Sequence, residues 1–185
     1  MKKLSLAILL ASGLVAAENG GYVGFDIGNS RADFTATNLS TGATASTNDN
    51  GGSQTLKVGY YFNANNRVAA FYQNINVDDG SGSVVGIGYD YLFGNNDVKP
   101  FVGAILGRGS NSYDSTDNIP SIDISGMVYG AQIGLNYSFN ENFSVEAGYR
   151  YLGSNMEDTI NVSGTNVKLE VDNISNWYVG LNYRF

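Results

Sequence analysis

The chain has 185 residues and a net charge of −7, with 43% hydrophobic and only 15% charged residues, so it is neither disordered nor long enough for a multidomain enzyme. Cysteine and histidine are both absent, which excludes disulfide frameworks, thiolate chemistry and any hydrolase or metal centre built on His. A content of 24 glycines and 13 tyrosines against 2 prolines departs from the usual soluble composition.

Met1-Lys2-Lys3, the apolar run Leu4 to Val15 and the small residues Ala16-Ala17 have the three parts of a secretory signal, with cleavage expected after Ala17. Residues 1–17 are thus read as a signal peptide and 18–185 as one exported domain. Loss of Lys2 and Lys3 takes the net charge to −9. The apolar run is shorter than the ~20 residues of a spanning helix, and nothing comparable follows it. A membrane form of this chain must therefore be a closed β-barrel, the other structure that satisfies its backbone in lipid.

Period-two alternation marks about eight segments. The first sets Val23, Phe25 and Ile27 against Gly24, Asp26 and Gly28, and the second sets Leu56, Val58, Tyr60 and Phe62 against Thr55, Lys57 and Gly59. The third, Arg67 to Val77, fits either phase through Val68-Ala69-Ala70-Phe71-Tyr72, so its facing stays open. In the fourth, Val85, Ile87, Tyr89, Tyr91 and Phe93 oppose Gly86, Gly88 and Asp90, and in the fifth Val102, Ala104 and Leu106 oppose Gly103 and Gly107. The sixth opposes Tyr129, Ala131, Ile133 and Leu135 to Gly130, Gln132 and Gly134. The seventh opposes Val145, Ala147, Tyr149 and Tyr151 to Glu146, Gly148 and Arg150, and the eighth opposes Trp177, Val179, Leu181, Tyr183 and Phe185 to Gly180, Asn182 and Arg184.

Short connections at 63–66, 94–98 and 140–142 alternate with long ones at 35–52, 111–124 and 153–172, the pattern of a membrane barrel with periplasmic turns and extracellular loops; 78–82 is a short exception. Asp49, Asp78, Asp79, Asp114, Asp117, Asp123, Glu157, Asp158, Glu170 and Asp172 fall in these loops, opposed there by Lys168. So acidic a surface disfavours nucleic acid. No calcium-loop motif occurs, and no metal or cofactor is expected.

The polar phase carries Asp26, Asp90 and Glu146 against Lys57, Arg150 and Arg184, which reads as a salt-bridged network plugging the lumen of a narrow barrel. The same ions are also compatible with a narrow, weakly conducting pore. No catalytic constellation emerges, because the acids sit on three different segments. Tyr and Phe cluster at segment ends, as in the aromatic girdles of membrane barrels. A soluble lipocalin-like carrier is the third reading, disfavoured because the face opposite the aromatics is glycine and charge.

The terminal Tyr178-Val179-Gly180-Leu181-Asn182-Tyr183-Arg184-Phe185 resembles the C-terminal assembly signal of Gram-negative outer-membrane barrels. With Lys99-Pro100-Phe101-Val102-Gly103-Ala104 and Val145-Glu146-Ala147-Gly148-Tyr149-Arg150-Tyr151, the chain is similar throughout to the small barrels of the OmpX, opacity-protein and OmpA transmembrane-domain type. The resemblance implies an all-β, eight-stranded antiparallel transmembrane barrel in the outer membrane. It implies contact with outer-membrane lipid and lipopolysaccharide, and insertion by the outer-membrane assembly machinery through Gly180, Tyr183 and Phe185. It also implies a structural or surface-interaction role in envelope integrity, adhesion or resistance to host defence, with a host-surface or extracellular ligand held by the loops. Low-conductance permeation is the alternative it leaves open. Enzymatic barrels of similar size rely on His, so no catalytic activity is expected.

Overall fold

Among the described residues, eight antiparallel strands follow one another around a closed barrel: β1 (Gly20–Asn38), β2 (Thr44–Asn63), β3 (Asn66–Val77), β4 (Gly80–Leu92), β5 (Val98–Tyr113), β6 (Ile122–Ser138), β7 (Phe143–Val162) and β8 (Thr165–Arg184). The computed structural model describes residues 19–77, 80–113, 122–162 and 165–185. The signal peptide expected over 1–17 lies outside the described residues. Each strand pairs with the next, and β1 closes on β8 from Tyr22↔Arg184 to Asn38↔Val167. Closure removes the free sheet edges that lipid could not hydrate.

The alternation read in the sequence sets the two faces. Outward positions are apolar and exposed over a continuous belt, while their neighbours point into the barrel. β3 takes the phase that the sequence left open: Arg67, Phe71, Gln73 and Ile75 are buried inside, and Tyr72 points out. The belt ends at Ile27, Leu56, Tyr72, Val85, Leu106, Met127, Tyr151 and Trp177 on the eight strands in turn. The next outward positions are Asn29, Gln54, Asn74, Ser83, Arg108, Ser125, Gly153 and Ser175. On β6 the stretch from Met127 to Tyr137 rises roughly 25 Å at ~3.3 Å per residue and ~40° tilt, the height of a bilayer's apolar band. At the end with the short turns, ring pairs Tyr60–Phe62, Tyr91–Phe93 and Tyr137–Phe139 pack edge-on at 4.9–5.7 Å and form a girdle.

The long connections differ from expectation. Most of 35–52 and 153–172 is barrel wall: β1 and β2 stay paired from Gly20↔Tyr61 to Thr37↔Thr44, and β7 with β8 out to Val162↔Thr165. The β1–β2 turn is confined to a few residues after Asn38, whose carbonyl accepts from Gly42 N–H at 2.8 Å. Beyond the bilayer both faces meet water, so alternation fades, while the Thr, Ser, Asn and Val that replace it still pair as strands. Asp49, Asp123, Glu157, Asp158, Glu170 and Asp172 therefore stand on strands rather than on loops. Asp78, Asp79, Asp114 and Asp117 lie outside the described residues. The barrel is lopsided, since β1, β2, β7 and β8 have 19 or 20 residues while β3 and β4 have 12 and 13.

Candidate functional site: the lumen

The inward face is built in layers. Nearest the short turns, Tyr22, Tyr61, Leu92, Phe101 and Tyr178 form an aromatic-rich cluster, with the Tyr22 and Tyr61 rings 5.1 Å apart. Next to it lies an ionic layer. Arg67, buried on β3, donates from Nε to Asp90 Oδ2 at 2.8 Å and from Nη1 to Tyr61 Oη at 3.1 Å, pairs ionically with Glu146 Oε2 at 2.9 Å, and its guanidinium stands 5.1 Å from the Phe101 ring centre. Lys57 bridges two acids, reaching Asp26 Oδ1 at 2.7 Å and also bonding Glu146. Asn182 donates to Glu146 at 2.9 Å and Gln132 to Asp90 at 2.6 Å.

Arg150 enters the same layer without a carboxylate of its own among the described residues. Its donors reach Gln132 Oε1 at 3.3 Å and Gln73 Oε1 at 3.2 Å, and the guanidinium lies between the rings of Phe71 and Tyr178, at 4.9 and 5.2 Å from their centres. Three acids thus face three cations, an arrangement that compensates buried charge. Each acid is engaged by a cation, which holds charge in place rather than presenting a free carboxylate for proton transfer. About 10 Å³ remains open between Lys57, Arg67, Asp90, Glu146 and Arg150, room for about one water.

The structure brings Asp26, Lys57, Asp90, Glu146 and Arg150 together and leaves Arg184 out. Arg184 sits at the rim, where its Nε donates to the Glu141 carbonyl at 3.0 Å and its guanidinium covers Tyr61. It is the last residue of β8 and is too far along the strand to reach the acids. Arg67 takes the third cationic place. A shared phase with Gln73, the other long polar residue of that segment, was the signal that could have placed it inside.

Above the ions the lumen carries a large apolar cluster, which the alternation did not anticipate, beside a hydrogen-bonded polar group of Ser30, Ser53, Gln73 and Asn176. Phe71, Ile75, Val84, Ile105, Ile124, Val128, Leu152, Met156, Val171 and Ile174 are buried in one cluster. The readable sign was a run of apolar doublets, Val84-Val85, Ile105-Leu106, Met127-Val128 and Tyr151-Leu152, where a lipid-facing residue is followed or preceded by a plug residue. A lipocalin-like carrier needs an open apolar cavity here; these buried side chains instead pack against one another in one cluster. On the turn side, a recess of about 130 Å³ is bordered by Lys99, Asn136, Asn182 and Arg184.

Solved structures share this architecture. Neisserial surface protein A aligns with a TM-score of 0.58 at 22% identity, over 87% of this chain and 97% of that one. The outer membrane protein OprG of Pseudomonas aeruginosa aligns at 0.63 and 17% identity, over 93% and 99%. At these identities they establish the fold alone. An uncharacterized protein of Haemophilus influenzae is 30% identical over 176 residues, covering 85% of this chain and 94% of its own length. Residues 4–185 match the family described as the outer membrane protein beta-barrel domain. The chain therefore belongs to that family, and it is an eight-stranded barrel of the Gram-negative outer membrane.

Proposed function

We propose that this protein is a plugged barrel that acts through the part of its wall standing above the outer membrane, in adhesion, envelope integrity or resistance to host defence, rather than through its lumen. The observation that carries this reading is the stacking of an apolar cluster on a salt-bridged layer whose ions leave about 10 Å³ open between them. Ions would have to cross both layers, and the buried polar side chains beside the apolar cluster, Ser30, Ser53, Gln73 and Asn176, are already bonded to one another. The tall side of the wall is acidic: Lys168 bridges Glu157 and Glu170, each at 2.8 Å, and Thr35 donates to Asp172 at 2.7 Å. In outer-membrane barrels this end faces outward, so a ligand of the surface would meet carboxylates, hydroxyls and amides there. Catalysis is not part of the proposal.

The test compares parent protein with a variant in which residues 35–46 and 157–169 are replaced by short turns. Planar-bilayer recordings of the folded parent should be silent, and the variant should still assemble but lose binding to host cells or survival in serum. Reproducible conductance steps from folded parent, with surface binding untouched in the variant, would overturn the reading in favour of a narrow pore.

A further inference from the structure

The ring of first polar outward positions above the lipid belt contains no carboxylate and one cation, Arg108. The described acids of the outer end begin farther along the strands, at Asp33, Asp49, Asp123, Glu157, Asp158, Glu170 and Asp172. In a domain of net negative charge this distribution leaves the headgroup level free of repulsion towards anionic lipid.

Arg108 shares one row across the sheet with lipid-facing residues, since Tyr72 opposes Val85, Val85 opposes Arg108 and Arg108 opposes Met127. The next rung out is Asn74, Ser83, Ser110 and Ser125, which again oppose one another in sequence and all face outward. A cation flanked by apolar side chains and capped by a row of hydroxyls thus marks the boundary itself. Arg108 is exposed, and its Nη2 donates to Ser125 Oγ at 3.0 Å, which turns the guanidinium towards the hydroxyl row. No described carboxylate pairs with it, whereas Arg31 on the tall side is paired with Asp33 at 3.0 Å.

We propose that Arg108 and the hydroxyl row form a binding site for a phosphate group of an outer-leaflet glycolipid of the lipopolysaccharide class. An arginine on the lipid face is costly at mid-bilayer and nearly free at the interface, where a phosphate can take its remaining donors. The planar fork of guanidinium donors matches phosphate oxygens in pairs, which a lysine ammonium does not. Ser83, Ser110 and Ser125 supply neutral donors beside it. The lipid chains then lie along the belt below, over Val85, Leu106 and Met127. This site is separate from the wall above it and does not depend on what that wall binds.

The experiment uses folded mature protein in mixed micelles, titrated with lipid A carrying both phosphates, with the same lipid stripped of phosphate, and with inorganic phosphate. The parent should prefer the phosphorylated lipid by roughly tenfold or more, with no displacement by an equal concentration of inorganic phosphate. Arg108→Gln should erase the preference, and Arg31→Gln should keep it, with heat-shifted gel mobility verifying that each variant is folded. Equal binding of the two lipids by the parent, or a preference that survives Arg108→Gln, would overturn the site. Displacement by inorganic phosphate would overturn its assignment to a lipid.

Discussion

Gly180 of β8 lies directly opposite Asp26 of β1, and a methyl group built on Gly180 would run into the Asp26 carboxylate. On its other side Gly180 opposes Glu146, so Lys57 bridges its two acids across a gap that only a missing side chain leaves open. Gly180→Ala should therefore destabilise the folded barrel by about 1–3 kcal/mol through overpacking. Urea unfolding after refolding into lipid vesicles measures this without the cellular assembly machinery, and an unchanged midpoint would mean that Asp26 yields freely.

Arg67 and Arg184 should respond in opposite ways to truncation. Arg67→Ala leaves Asp90 short of its cation and Glu146 with Lys57 as its one remaining cation among the described residues, a loss expected to cost ~3–5 kcal/mol. Arg184→Ala removes a rim cation that bonds a backbone carbonyl, and should cost less than about 1 kcal/mol. Equal effects in the same unfolding assay would contradict the placement of the third cation.

Leu152 tests the apolar plug. It is fully buried inside the barrel, so Leu152→Ala should cost ~2–5 kcal/mol, as in a protein core. A residue lining a water-filled channel would lose almost nothing, and near-zero change would argue for an open lumen.

The last two outward rings, Tyr183 and Phe185, pack 6.3 Å apart at the girdle, and Tyr183 also meets Phe143 at 4.9 Å. Phe185→Ala should lower the amount of assembled barrel in the outer membrane while leaving refolding in vesicles nearly intact. A matched loss in both would assign Phe185 to stability rather than to an assembly signal.

Lys168 gives a pH signature on the tall wall. Hydrogen bonds to Glu157 and Glu170 raise its pKa from the usual lysine value to about 12. A raised cation pKa contributes stability fully below the ordinary value near 10.5, and that contribution fades as pH rises through about 12. Side-chain NMR should find the Lys168 midpoint above that of an ordinary lysine, and Glu157→Gln with Glu170→Gln should return it.

Strand number, inward and outward phase on seven strands, and five of the six buried charges were legible in the sequence. The bilayer imposes that pattern, for a lipid-facing position tolerates no polar side chain and its neighbour must fill the lumen. Arg67 was not legible because Val68, Ala69 and Ala70 are small or apolar on both phases. The paired wall of 35–52 and 153–172 was hidden for a related reason: above the membrane, strand pairing continues through Thr, Ser and Asn without a binary code. The plug was hidden because inward and outward apolar residues stand side by side in doublets such as Val84-Val85.

The seam between β1 and β8 joins the first described strand to the last, with Tyr22 paired to Arg184. Every other pairing joins chain neighbours and can form as the chain arrives, but this one closes a loop of nearly the whole domain, at the corresponding entropic cost. A chain lacking β8 does not make a smaller version of the same object. It presents two rows of unpaired backbone groups to hydrocarbon, from β1 and from β7, each group costly to bury. The arrival of β8 is thus itself the condition for a wall that hydrocarbon can surround.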